Sequence, residues 1–360
     1  MHDVRASSSM SSSDVKREAL ALGFDLCGIA PAAGFPELRF LDEWLARGYA
    51  GEMHYMQRSA GRRADVRNVM PAARSVIVLG TLYNTDRPYS TTLPDAGHAA
   101  IARYAWGDDY HAVIERRLDS LVTRLGGIAG DGFEARAYVD TGPVQERVYA
   151  QHAGLGWIGK NTCVINPVLG SWMFLSVVVT NRPLDPDAAA LDQCGSCALC
   201  LEACPTGALR APHVLDSTRC LSYLTIEVKG SIASALREAV GAHAYGCDIC
   251  QDVCPWNSMP TTGVSTDPSW QARAGLAAPR LLDLWRATDD GLRALLKGSA
   301  MKRAGVKRLR RNLAVAIGNS GDPDAASALV SSAEPTARDP LVEEHVAWAV
   351  EKLGGASHHD

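Results

Sequence analysis

Apolar and polar positions alternate in two rhythms along the chain. SVIVLG (75–80), ARAYVD (135–140), TCVIN (162–166) and MFLSVVVT (173–180) are β-branched runs of strand length. IERRLDSLVTRL (114–125) places its apolar residues on one helical face, and PVQERVYAQHA (143–153) reads as a helix with Pro143 in its first turn. Strands alternating with helices over residues 14–185 predict an α/β domain with a central sheet. Near the end, LRRNLAVAIGNSGD and VEEHVAWAVEKLGG align at a spacing of 33 residues: Leu309, Leu313, Ala314, Ala316, Ile317 and Gly321 match Val342, Val346, Ala347, Ala349, Val350 and Gly354. That period predicts stacked helical pairs of the HEAT type over residues 280–355. The Ser-rich start, residues 1–13, is expected to be a disordered tail.

One glycine pattern interrupts this scheme. AGLGWIGKN (153–161) reads Gly154-x-Gly156-x-x-Gly159, the spacing of a dinucleotide-binding loop. Such a loop follows a strand, opens a helix and has an acidic residue about 20 positions on. Here a helix precedes it, strands follow, and no Asp or Glu lies between Glu146 and Asp185. The nicotinamide reading fails.

Composition narrows the class. With 360 residues, 47% hydrophobic and 21% charged, the chain is expected to form two or three globular domains. The net charge of −4 gives no global signature of nucleic-acid binding, so any such site is a local patch. No apolar run approaches the ~20 residues that cross a bilayer. With no signal-peptide pattern either, a cytoplasmic location is expected.

Eight of the ten cysteines fall between residues 194 and 254, which points to metal ligation. CGSCALCLEACP gives Cys194-x2-Cys197-x2-Cys200-x3-Cys204-Pro205, the run that binds [4Fe–4S] clusters in two-cluster ferredoxins. Cys220 follows alone, then Cys247-x2-Cys250-x3-Cys254-Pro255. In that motif the last cysteine of each run serves the other cluster. The expected sets are Cys194, Cys197, Cys200 and Cys254 for one, and Cys204, Cys220, Cys247 and Cys250 for the other. Zinc sites also use CxxC, but they do not need this triple spacing before proline. Cys27 and Cys163, left over, suit small buried apolar positions.

Asp140 ends the strand ARAYVD and begins Asp140-Thr141-Gly142, the active-site tripeptide of aspartic proteases. That chemistry needs a second carboxylate sharing the proton, from a second tripeptide or a small homodimeric chain. The alternative is a turn-capping Asp before Pro143. Asp109-Tyr110-His111 partly matches the D-x-H-x-x-G cobalt-ligand pattern of corrinoid mutases, but Ile114 stands at the glycine position. It reads instead as a helix start capped by Asp109.

VDTGPVQERVYAQHAGLGWIGKN, GSW (170–172), the double cysteine block, YGCDICQDVCPWN, RADVRNVMPAARSVIVLG and GSAMKRAGVKRLRRNLAVAIGN together closely resemble the epoxyqueuosine reductase family from about residue 15 to the end. Members of that family look like cousins of corrinoid reductive dehalogenases. The resemblance implies a cobalamin-binding reductase domain (14–185), a ferredoxin-like domain with two [4Fe–4S] clusters (186–262), and reduction of the epoxide of epoxyqueuosine in tRNA to queuosine. It implies Asp140 as proton donor and the glycine loop as part of the cobalamin pocket. Cobalamin contacts are then expected at Arg63, Tyr104, Asp140, Lys160, Asn161, Leu221, Gly246, Cys247, Asp248 and Ile249. Val66 stands where the family usually has proline. Implied partners are tRNA and an electron donor such as flavodoxin or ferredoxin. A carrier of ferredoxin type with RNA-binding domains, or a dehalogenase, would be the rival readings.

KGSAMKRAGVKRLRR (297–311) holds seven basic residues, Lys297, Lys302, Arg303, Lys307, Arg308, Arg310 and Arg311, and no acidic one. This patch is expected to contact tRNA phosphates. The acid Asp140 is expected to have a pKa raised toward neutrality by burial.

Overall fold

The computed structural model describes residues 10–93, 95–259, 262–322 and 324–355. Of the tail expected over 1–13, residues 1–9 lie outside the described residues, while Met10 is buried and Ser11 caps the helix Ser12–Ala21 through a capping box with Asp14. Structure therefore begins earlier than composition implies, because the Ser-x-x-Asp spacing satisfies two helix-end donors at once.

The central sheet has four strands: β1 (Leu26–Pro31), β2 (Ser75–Leu82), β3 (Ala135–Tyr138) and β4 (Met173–Thr180), in the order β1–β2–β4–β3. Every pairing is antiparallel, so the mixed α and β domain expected from the sequence takes the α+β form. β2 is buried at every position and β4 at all but one, which explains their unbroken apolar runs. Alternate residues feed two cores. Ile77, Leu79 and Val178 pack under Val113, Ile114, Leu118, Leu121 and Leu125 of the helix Tyr110–Ala129. Val76, Val78, Val177 and Val179 face Val144, Val148 and Tyr149 on the other side. The helix there runs Glu146–His152, leaving Pro143 in the preceding loop rather than in its first turn. TCVIN shortens to a two-residue strand, Val164–Ile165, paired with Trp157–Ile158.

The glycines of the 153–161 loop are explained by protein contacts. Gly154 has φ +73° after the helix end, and a Cβ there would meet Ala188 O at 2.6 Å. A Cβ on Gly156 would lie 2.2 Å from Ile165 O. The close approach is to backbone at Gly154 and Gly156, and at Gly159 to the Ile165 side chain at 2.4 Å.

The C-terminal segment is helical, with Leu281–Arg286, Asp289–Leu296, Gly305–Gly318, Ala325–Ser331 and Pro340–Gly355. It is not a separate unit. Its core is continuous with Ile101, Trp106 and Tyr245 of the preceding segments. Arg310 and Arg311 are wholly buried. Arg311 donates to the carbonyls of Val228 (2.7 Å), Gly230 (2.6 Å) and Leu224 (2.8 Å), and Asn312 donates to those of Thr225 (2.8 Å) and Ala244 (2.9 Å). Arg311 and Asn312 thus bolt the helices to the cysteine-bearing segment.

Candidate active site

Asp140 lies two residues past β3 with φ +56°, a left-handed conformation that Asp tolerates better than most residues but that still costs about 1–3 kcal/mol. The following turn doubles back so closely that a Cβ on Gly142 would meet Tyr138 Cγ at 2.4 Å. This geometry aims the Asp140 side chain, 56% exposed, at the start of the helix Tyr110–Ala129. Tyr110 OH donates to Asp140 Oδ2 at 2.9 Å, and His111 Nε2 lies 3.4 Å from the same oxygen. Asp109 is the helix cap, as its sequence position implied, accepting from the His111 amide at 3.2 Å. The same oxygen, Oδ1, also holds His111 Nδ1 at 2.8 Å, while Lys302 Nζ reaches Oδ2 at 2.6 Å. Although the side chain is more than half exposed, partial desolvation by the surrounding protein pushes the Asp140 carboxyl up. The His111 and Tyr110 hydrogen bonds, with the His111 and Arg303 charges, outweigh it and hold the carboxyl below its usual range. The expectation of a raised Asp140 pKa is corrected: in the protein alone this carboxylate is ionised at neutral pH.

The raised carboxyl belongs to a neighbour. Burial, reinforced by the Asp140 charge, pushes Glu146 to about 8, against the pull of Arg63 and Arg147. Its Oε1 is buried without a hydrogen-bond partner. Tyr110, His111 and Glu146 escaped sequence reasoning. The first two look like an ordinary helix start, and Glu146 like a solvated first-turn acid. Only the meeting of the β3 end with two helix starts reveals them.

The other expected contacts divide. Arg63, at the end of the helix His54–Arg63, donates to Ser59 Oγ and Val144 O, both at 2.9 Å, on the Glu146 side. The Tyr104 ring stands edge-on to Tyr110 at 6.0 Å, and its hydroxyl is 3.4 Å from that of Tyr245. Gly246, with φ +67°, lets the chain pass Ala102 and Tyr104 where a Cβ would clash at 2.5 Å. These groups form one wall with Asp140. Leu221 is 2% exposed and packs with Tyr223 and Leu224, so its side chain faces protein. Asp248 accepts the Arg103 amide at 2.6 Å, and burial, with Asp252 nearby, pushes it up to about 7. Cys247 and Ile249 flank it at the second CxxC. Lys160 and Asn161 spend their polar atoms on the cysteine loops: Lys160 Nζ donates to Gly195 O (2.6 Å) and Cys197 O (2.8 Å), and Asn161 Nδ2 to Cys250 O (3.2 Å). In the protein alone these two side chains anchor the cysteine loops.

The thiols fall into two neighbourhoods. Burial first, then Cys194 and Cys197, push the Cys200 thiol up. Burial, then Cys194 and Cys200, push Cys254 to about 11. Cys194, Cys197, Cys200 and Cys254 line one pocket with Lys160, Asn161 and Trp256, and Trp157 Nε1 lies 3.4 Å from Cys194 Sγ. In the second neighbourhood Cys247 is raised by burial and then by Cys220 and Cys204. Cys250 has Cys163, Cys247 and Cys220 about it. The Ala208 amide donates to Cys204 Sγ at 3.3 Å. Cys27 is pushed to about 12 by burial and is inert at neutral pH.

Of the basic patch, Lys297, Lys302, Arg303 and Lys307 are exposed. Arg308 is half-buried against the Ala304 and Ile226 carbonyls, both at 2.7 Å. Arg310 and Arg311, fully buried, cannot reach an RNA phosphate; a count of basic residues does not see that this part of the helix is buried.

Residues 193–257 match a family described as 4Fe-4S double cluster binding domain, and residues 63–141 one described as epoxyqueuosine reductase QueG, DUF1730. An epoxyqueuosine reductase of Xanthomonas campestris is 38% identical over 343 residues, 94% of this chain and 95% of the relative. The chain belongs to the epoxyqueuosine reductase family. A Pseudomonas aeruginosa member is 39% identical, covering 92% of each chain. Among solved structures, an epoxyqueuosine reductase with a tRNA-Tyr epoxyqueuosine-modified stem loop superposes with a TM-score of 0.84 at 29% identity, over 95% of this chain and 90% of that one. A Bacillus subtilis member, with its catalytic loop swung out of the active site, gives 0.81 at 28% identity, over 97% and 94%. The double-cluster domain of the family spans both thiol neighbourhoods. Among the described residues no helix is long and apolar enough to cross a membrane.

Proposed function

We propose that this chain reduces the epoxide of epoxyqueuosine in tRNA to queuosine, using cobalamin and two [4Fe–4S] clusters. The observation that carries the reading is the Asp140 constellation. It is a strained carboxylate held by a tyrosine and a histidine, next to a wall of aromatic and glycine residues, in a chain that also carries two four-thiol neighbourhoods. The residues present fit both groups. Four thiols gathered from separate segments suit a cubane cluster, with Cys194, Cys197, Cys200 and Cys254 holding one and Cys204, Cys220, Cys247 and Cys250 the other. The unpartnered Glu146 Oε1, near Arg63 and Asp140, suits the amide fringe of a corrinoid. Bound there, cobalamin would supply the low-valent centre through which electrons reach the epoxide carbon.

The chain's own residues do the rest. Arg63, Tyr104 and the Gly246–Ile249 turn bound the pocket. Asp140 passes a proton to the epoxide oxygen, and Tyr110 and His111 hold its carboxylate in place. Lys297, Lys302, Arg303 and Lys307 offer exposed cations to RNA phosphates. The C-terminal helices act as a HEAT-type pair that presents them. A one-electron donor such as flavodoxin or ferredoxin feeds the clusters, in the cytoplasm. Conversion of an epoxyqueuosine-containing stem loop by reconstituted protein under strong reductant, read by nucleoside mass spectrometry, tests this. A protein that binds clusters and RNA but retains no corrinoid would instead be an electron carrier.

A further inference from the structure

Removing an epoxide oxygen as water consumes two electrons and two protons. Both C–O bonds break, a C=C bond forms, and the oxygen takes both protons. Asp140 holds one proton at most, so the site needs a second source. We infer that His111 supplies the protons that Asp140 passes on, acting through that carboxylate, with Asp109 as the residue that positions its ring.

Three observations carry this. His111 has a carboxylate at each ring nitrogen, Asp109 at 2.8 Å on Nδ1 and Asp140 at 3.4 Å on Nε2, so only its doubly protonated form donates to both. The other donor on Asp140, the Tyr110 hydroxyl, has its pKa pushed far up by burial and by Asp140 and gives up no proton near neutrality. Asp109 is itself fixed three ways, as helix cap, as partner of His111 and by Lys302 at 2.6 Å, so the carboxylate that holds the ring is held in place. The charged groups around His111 are Asp109 and Asp140 in contact, with Lys302 and Arg303 behind them. Burial lowers its pKa, but the two carboxylates outweigh this and raise it above the usual ~6.5. Asp140, held low, is ionised at the same pH. The pair therefore shares one transferable proton between ring and carboxylate; once it has left through Asp140, water at the partly exposed ring (24%) reprotonates His111, which passes on the second. The electrons come one at a time from a low-potential donor through the clusters.

The inference rests on the reductase reading, and two measurements separate their failures. In protein with 13C-labelled histidines, the ring signal that disappears in His111→Gln should titrate above ~6.5 and move down in Asp109→Asn and in Asp140→Asn. This holds whatever the substrate is, and titration at or below ~6.5 overturns the relay. On epoxyqueuosine stem loop, His111→Ala with intact cluster and corrinoid spectra should lose about two to three orders of magnitude in kcat, with KM little changed. It should also lose the alkaline limb of the pH profile. Added imidazoles should restore turnover in the order of their pKa values. A wild-type pH profile in His111→Ala, or no rescue by any imidazole, contradicts the inference; absence of turnover in wild type contradicts only the reductase reading.

Discussion

Replacing Arg310 with Met separates a structural cation from an RNA-binding one. Arg310 Nε donates to Asp289 Oδ1 and Thr336 Oγ1, both at 2.8 Å, Nη1 to Trp285 O at 2.9 Å and Nη2 to Ala287 O at 2.8 Å. Both ions of the Arg310–Asp289 pair are almost wholly inaccessible, 0% and 6% at the side chains. Met fills the space of the stem but takes the cation from the Asp289 carboxylate, which keeps only its Thr336 donors, and leaves two carbonyls without their donor. Breaking a buried pair from one side costs about 3–5 kcal/mol, and the orphaned carbonyls push toward the upper end. Lys307, exposed and 3.4 Å from Asp339, should cost within about 0.5 kcal/mol when changed to Ala. The assay is urea unfolding of both variants beside stem-loop binding across a salt series. Arg310→Met should lower the midpoint at unchanged slope and keep its RNA affinity where folded. Lys307→Ala should keep the midpoint and flatten the salt dependence by about 0.7–0.9 in slope. A stable Arg310→Met protein with weakened RNA binding would refute the assignment.

Other outcomes follow from the same contacts. His345 is buried and neutral: its Nδ1–H donates to Leu341 O at 2.7 Å and its Nε2 accepts the Ile232 amide at 3.1 Å. Burial lowers its pKa from 6.5 to about 4, so its contribution is present above ~6.5 and is lost as pH falls toward ~4, about 3 kcal/mol in all. His345→Gln should flatten that part of the acid unfolding curve, and an unchanged curve would reject it. Glu146, raised from 4.5 to about 8, favours the folded state less as pH rises through that window. Glu146→Gln should therefore melt higher than wild type at pH 8 and about equally at pH 4.5, measured without cofactor. Cys254→Ala should abolish the cluster spectrum of the Cys194–Cys200 run and spare the other cluster; losing only the Cys204 cluster would reverse the ligand sets.

The chemistry was more legible in the sequence than the geometry. Cysteine spacing is a local property, so the 194–254 block announced its clusters before any fold was known. Asp140 was legible only through the motif it shares with the family, since its place just past a strand also fits a turn cap. Its partners were not, because Tyr110 and His111 come from a helix start 30 residues upstream, and periodicity says nothing about which helix end meets which strand end. The glycine loop shows the opposite failure. Its spacing suggested a ligand, whereas Gly156 is small because the Ile165 backbone lies against it. The basic run 297–311 failed through burial, which charge counting cannot see: the same helix turn sends Lys307 to solvent and Arg310 into the core. Strand direction was not legible, because β2 and β4, covered on both faces, carry a continuous apolar signature that is not particular to antiparallel strands.

The central claim is that this chain opens an epoxide in tRNA and that Asp140 carries the proton. Asp140→Asn keeps the left-handed turn and an oxygen facing Tyr110, so folding, both clusters and corrinoid should be retained, as read from absorption spectra. Nucleoside mass spectrometry of an epoxyqueuosine stem loop should then show conversion to queuosine by wild type and a rate lower by about two to four orders of magnitude in the variant. Turnover near the wild-type rate by a fully loaded Asp140→Asn protein would contradict the account.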